Sequence, residues 1–189
     1  MNRLQTFIDD VAIVVRSTGG EHEIDEHEIT ARVGELLSAL LAEGYRLPPE
    51  LTRASSTRHL TYPMYIAPDE SWSMASVVWD VGQRTNVHSH ETWGVVGIYA
   101  GVEHEIRYLK PTSSTPSGPL TPAGDTRWTP GQVTVCCTTD DDVHAVAAVG
   151  GEPTIGIHVY GGNMGTTKRR EYDPETGEVR WFVSGWDKP

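Results

Sequence analysis

The chain has 189 residues, 38% of them hydrophobic and 22% charged, enough for one domain with a sizeable core. Its net charge of −11, from 26 acidic and 15 basic residues, disfavours nucleic acid and anionic membrane as partners. No run approaches the roughly 20 apolar residues of a membrane-spanning helix, and Asp9 with Asp10 interrupts any signal-peptide core near the start.

Leu4, Phe7, Ile8, Val11, Val14 and Val15 recur at helical spacing and predict a first helix, which Gly19 and Gly20 break. Asp25, followed three residues later by Glu28, marks the capped start of a second. Its apolar stripe is Ile29, Val33, Leu36, Leu37, Leu40 and Leu41, and Gly44 and Pro48-Pro49 end it. Residues 1–48 are therefore expected as a helical segment packed on a main domain, 49–189.

From Leu51 onward the texture is β-rich. Strands are expected over 73–79, 93–99, 105–109, 132–137, 143–149, 154–160 and 179–183, with turn residues between them. Many short strands imply a mainly β sandwich or barrel. Residues 111–122 read as a long surface loop, and Asp173 to Gly177 as a turn before the last strand. The two cysteines, Cys136 and Cys137, are adjacent and poorly placed to pair. They are expected to pack as small apolar residues in a protein of the reducing cytoplasm.

Of eight histidines, His22, His27 and His104 sit among acidic residues and read as solvated; His59 is ambiguous. His88 and His90 differ. On a strand, residues two apart share a face, so the pair aims two imidazoles at one point. His144, in a later strand, is the best third metal ligand. Three histidines also serve zinc hydrolases, so spacing alone leaves the metal open.

The surroundings carry more. Gly82 lies six positions before His88, and Gly101 eleven after His90, a spacing that resembles the first motif of the cupins. That resemblance implies a double-stranded β-helix barrel with a metal in its mouth. Many cupins place a glutamate ligand where this chain has Gly94, which leaves three neutral histidines and favours an anionic ligand such as a thiolate.

The stretches TNVHSHETWGVVGIYAG (85–101), DVHAVAAVGGEPTIGIHVYGGNMG (142–165) and FVSGW (182–186) resemble the cysteine dioxygenase family, nearest its bacterial 3-mercaptopropionate dioxygenase branch. The likeness spans residues 55–187. It implies one Fe(II) per chain, held by His88, His90 and His144, and no organic cofactor. It also implies catalytic roles for His158 and Tyr160, two members of an outer-sphere Ser-His-Tyr triad. The substrates would be a small thiol, cysteine-like or 3-mercaptopropionate-like, and dioxygen, and the product a sulfinate.

Two departures stand out. The triad serine is replaced by Gly156. At Gly94 the animal enzymes have a cysteine that cross-links to the tyrosine; here no cysteine is expected nearby, so no thioether to Tyr160 is expected. The residue that clamps the substrate tail is ambiguous. A motif alignment selects Arg58, and an ungapped one from Trp79 selects Tyr62. Tyr62 and Tyr65 together would suit a bulkier thiol such as ergothioneine, with mercaptosuccinate a further alternative. Lys168, Arg169 and Arg170 form a second basic cluster, of which Arg169 is a candidate for the substrate carboxylate. A non-oxygenase cupin, an isomerase, hydrolase or ligand sensor, is the rival reading. Oligomeric state is left open.

Overall fold

The computed structural model describes residues 3–18, 25–111, 118–139 and 142–189. Two helices, α1 (Arg3–Thr18) and α2 (Glu26–Ala42), precede eleven strands. The Asp25 carboxylate caps α2, accepting the amides of His27 at 3.0 Å and Glu28 at 3.1 Å. Only this half of the capping box forms, because the Glu28 side chain turns to Arg32 at 3.2 Å. Gly44 ends the helix with a φ of +71°, a conformation glycine adopts without strain.

The strands are β1 (Leu60–Ile66), β2 (Trp72–Trp79), β3 (Val87–His88), β4 (Gly94–Ala100), β5 (Val102–Tyr108), β6 (Pro122–Trp128), β7 (Val133–Cys136), β8 (His144–Val149), β9 (Thr154–Gly161), β10 (Arg169–Tyr172) and β11 (Val179–Phe182). One sheet runs β1-β2-β9-β4-β7 and the other β11-β10-β3-β8-β5-β6. The pairing is antiparallel throughout. The inner eight strands interleave as β2-β9-β4-β7 against β3-β8-β5-β6, the two-sheet jelly roll of a cupin double-stranded β-helix.

The helices cover the outer face of the five-stranded sheet. Phe7, Val11, Val33 and Leu37 share one apolar core with Met74, Val78, Val95, Ile157 and Val159. Each such side chain contributes about 1.5–3 kcal/mol by leaving water. Gly97 on β4 lets α2 approach: a Cβ there would fall 2.8 Å from Leu41 and 2.9 Å from Leu37. No described helix is long and apolar enough to cross a membrane.

Three strands lie outside the sequence expectation, β1, β6 and β10, and β3 carries only His88 of the pair expected on one strand. Pro63 interrupts β1, and a register shift between Pro63 and Tyr65 absorbs it. β6 pairs through β5 at the edge of its sheet, and its mostly exposed residues carry no inward apolar alternation. Most of the expected 111–122 loop, residues 112–117, lies outside the described residues, as does His22.

Candidate metal centre

Strand register assembles the histidines. His88, at the end of β3, stands directly opposite His144 at the start of β8. His90 lies just past β3, so the pair is not on one continuous strand. The Asp142 carboxylate holds it instead, accepting the His90 amide at 2.7 Å and Nδ1 at 3.0 Å. Ring centroids of the three histidines are 4.9–5.0 Å apart. One ligand atom from each lies within 4.8 Å of the others, and all three residues are buried.

The outer contacts select the tautomer. Nδ1 of His88 donates to the Asn86 carbonyl at 3.0 Å, Nδ1 of His90 to Asp142, and Nδ1 of His144 to Glu105 at 2.6 Å. Each Nε2 is thereby left as a lone-pair donor, the arrangement of a metal-binding histidine whose second nitrogen is anchored. Burial, and then neighbouring positive charge, presses His88 and His90 well below their usual range, so both are neutral at pH 7. These residues fit a divalent metal.

Two of the anchors are carboxylates. Glu105 is buried on β5, and burial alone would raise its pKa. The bond and charge of His144, Arg107 at 3.2 Å and Trp128 Nε1 at 2.8 Å overcome that and hold it at about 2. Burial pushes Asp142 upward, against the amides of His90 and Glu91. A bound cation would thus meet neutral ligands with negative charge one bond behind. Glu105→Gln is expected to weaken metal binding about 10- to 100-fold, measured by competition with a chelator. Unchanged affinity would show that the carboxylate only fills space.

Tyr160 and His158 reach the same centre from β9. The Tyr160 hydroxyl lies 2.8 Å from His158 Nδ1 and 3.3 Å from His90 Nε2, and its ring stacks on His90 at 4.9 Å. Burial raises the phenol well above its usual pKa, which keeps it protonated. A Cβ at Gly156 would fall 2.5 Å from His158 Nε2, so the imidazole occupies the space a serine would need. Nε2 has no hydrogen-bond partner among the described residues.

Gly94 has a steric explanation. A Cβ there would meet Cys136 Sγ and Tyr160 Cε1, each at 2.6 Å, so no glutamate fits beside this tyrosine. Register puts Gly94 between Cys136 of β7 and Tyr160 of β9. The expectation of no cysteine near this position is therefore corrected. Cys136 is a cross-strand neighbour, buried against Tyr160 and Met164, with Sγ 3.4 Å from His90 Nδ1.

The centre opens into a cavity of about 70 Å³ lined by His59, Thr61, Trp79, Glu103, His158, Tyr160, Arg169 and Trp186, among others. His59, Thr61, His88, Arg169 and Ser184 also border an outer vestibule of about 500 Å³. A larger concavity, about 780 Å³, lies on the six-stranded sheet between Tyr108, Tyr172 and Arg180. It contains none of the converging histidines, so the small cavity is the candidate site.

The substrate-residue expectations divide. Arg58 is exposed, pairs with Asp187 and lines only the vestibule. Tyr62 is excluded from the cavity: it is buried in the helix-facing core, with its hydroxyl on the Arg53 carbonyl at 3.1 Å. Tyr65 packs on Trp72 in the same core. The reason is parity, since alternation along β1 gives Thr61 to the cavity and Tyr62 to the other face. The expectation of a tyrosine-lined pocket is corrected by this placement. In the basic cluster, Arg170 turns to Glu91 at 2.7 Å and Lys168 lies over Trp181. Arg169 alone of the three faces the cavity, buried, with its Nη2 on Ser184. Its Nε has no partner among the described residues.

No motif in the sequence marks Glu103. It is 3% exposed on β5, two residues before Glu105, and burial raises its pKa to about 7. The signal was alternation: Glu103 and Glu105 share the inward face while His104 turns out to Asp125 at 2.7 Å. Because the folded pKa exceeds the 4.5 of an ordinary glutamate, Glu103 favours folding below that value. This contribution is lost as pH rises through about 7. In metal-free protein, Glu103→Gln should remove up to about 3 kcal/mol of this pH-dependent loss between pH 4.5 and 8. Parallel stability–pH curves for the two proteins would contradict it.

No family model matches the chain. Among solved structures, it is similar to a conserved protein with a double-stranded beta-helix domain from Klebsiella pneumoniae, at 14% identity and TM-score 0.46, covering 74% of this chain and 99% of that one. A cupin superfamily protein from Desulfitobacterium hafniense aligns at 11% identity and TM-score 0.45, over 64% and 93%. A putative mannose-6-phosphate isomerase from Ralstonia eutropha aligns at 12% and 0.45, over 63% and 100%. None of the three is described as a dioxygenase.

Proposed function

We propose that this protein is an iron(II)-dependent thiol dioxygenase that converts a small carboxylated thiol to its sulfinate. The observation that carries the reading is the Tyr160 hydroxyl, held by His158, 3.3 Å from Nε2 of a buried three-histidine group. The cavity also holds Glu103, which could serve an isomerase or hydrolase as a base; the protonated phenol beside the converging histidines is what favours the oxygenase reading. Bound iron(II) would supply the redox centre and lower the pKa of a coordinated thiol.

The chain's own residues do the rest. Arg169 meets the substrate carboxylate with its guanidinium, and its burial strengthens that attraction. The Tyr160 hydroxyl donates toward the reacting sulfur or oxygen, and His158 fixes its direction. Trp79, Val96 and Val146 exclude water. The balance is a thiol plus dioxygen giving a sulfinic acid: the S–H proton is released, two S–O bonds form, and sulfur is oxidised as both oxygen atoms are reduced. The test reconstitutes metal-free protein with iron(II) or zinc(II) and follows oxygen. Thiol-dependent uptake with iron alone is expected. No uptake with any thiol, or metal-independent uptake, would sink the reading.

A further inference from the structure

The cavity holds a polar atom that the proposed reaction does not use. Glu103 lines the inner cavity and not the vestibule, and its Oε2 is buried with no hydrogen-bond partner among the described residues. Neither carboxylate oxygen joins the group of converging histidine nitrogens, so Glu103 is not a fourth ligand there. Arg169 and His144 line the same cavity, but Arg169 bonds Ser184 and His144 bonds Glu105, and neither reaches Glu103 Oε2. The Thr134 hydroxyl already accepts Arg107 at 2.7 Å. A carboxylate buried without a counter-charge is heavily penalised unless something supplies one.

We propose that Glu103 recognises a protonated amine on the substrate, so that the cavity selects a small aminothiol. This deepens the dioxygenase reading and rests on it for the word substrate. Two groups of opposite charge then face one cavity, Arg169 beside the vestibule and Glu103 in the inner part. An amine meets Glu103, a carboxylate meets Arg169, and the sulfur between them faces the histidines. The volume of about 70 Å³ suits a molecule of a few heavy atoms. An unpaired carboxylate also repels a thiol whose only charge is negative, which gives discrimination as well as attraction.

The experiment is anaerobic calorimetry on the iron-loaded protein, with ethanethiol, cysteamine, 3-mercaptopropionate and cysteine as probes. Cysteamine should bind about 10-fold or more tighter than ethanethiol, the value of one charge-assisted hydrogen bond. Glu103→Gln keeps the side-chain volume and should erase that difference while leaving 3-mercaptopropionate unchanged or tighter. Equal affinity for cysteamine and ethanethiol, or an equal loss for all four probes, would overturn the assignment. Iron content and thermal unfolding of the variant confirm that it is folded and loaded. Binding is read without oxygen, so amine selectivity without any sulfinate would fail only the dioxygenase reading. Sulfinate formation with amine-blind binding would fail only the role of Glu103.

Discussion

His144→Ala should abolish metal loading and thiol oxidation together. His144 is the cross-strand partner of His88, and its ring is fixed by the 2.6 Å bond to Glu105. Removing it takes one of three converging nitrogens and leaves two neutral ligands, too few for a closed face on a divalent ion. Loss of an outer anchor alone costs about 10- to 100-fold in metal affinity, so loss of the ligand should cost more than about 100-fold. Glu105 keeps Arg107 and Trp128, so the fold should survive the change. Iron content and sulfinate yield on purified variant check this. Full iron with lost activity would leave His144 a role in chemistry but not in holding the metal.

Arg169→Met should separate substrate recognition from the metal. The guanidinium is buried at the boundary of cavity and vestibule, with one nitrogen on Ser184, its plane over Phe182 and Nε unpartnered. For a carboxylated thiol, kcat/KM is expected to fall about 100-fold or more, as truncation of a buried charge partner does. For ethanethiol it should change only a few-fold, with iron content intact. Equal losses on both thiols would mean that Arg169 serves to anchor the 183–187 segment. Ser184→Ala is the control for that, since it loosens the segment and spares the charge.

Much of the fold follows from local pattern. The helical stripes of α1 and α2 are continuous, and the Asp25 cap is explicit. Seven strands announce themselves by β-branched runs. β3 is only two residues long, and its place between β10 and β8 depends on pairing with chain far away. β10 begins with two arginines, which no burial pattern would select, yet Arg169 is buried because the cavity lies inside the sheet.

The site was legible where chemistry and spacing coincide. His88, His90 and His144 come together, and so do His158 and Tyr160. The supporting carboxylates were less legible, because Glu105 reads as surface until strand parity turns it inward. The same parity moved Tyr62 to the core. The contact of Cys136 with Tyr160 across Gly94 arises from register between three strands, which no local pattern encodes. Gly94 illustrates the gain: a missing ligand in the sequence becomes, in three dimensions, the space that the tyrosine ring occupies.

On the proposed function, the three histidines hold iron(II) for addition of both atoms of dioxygen to a thiol. The most direct test incubates iron-loaded protein under ¹⁸O₂ with cysteine, 3-mercaptopropionate, cysteamine, mercaptosuccinate and ergothioneine, and weighs the products. A sulfinate carrying two heavy oxygens from at least one small thiol is predicted. A product carrying one heavy oxygen or none, or no thiol-dependent oxygen uptake from any of the five, would contradict it.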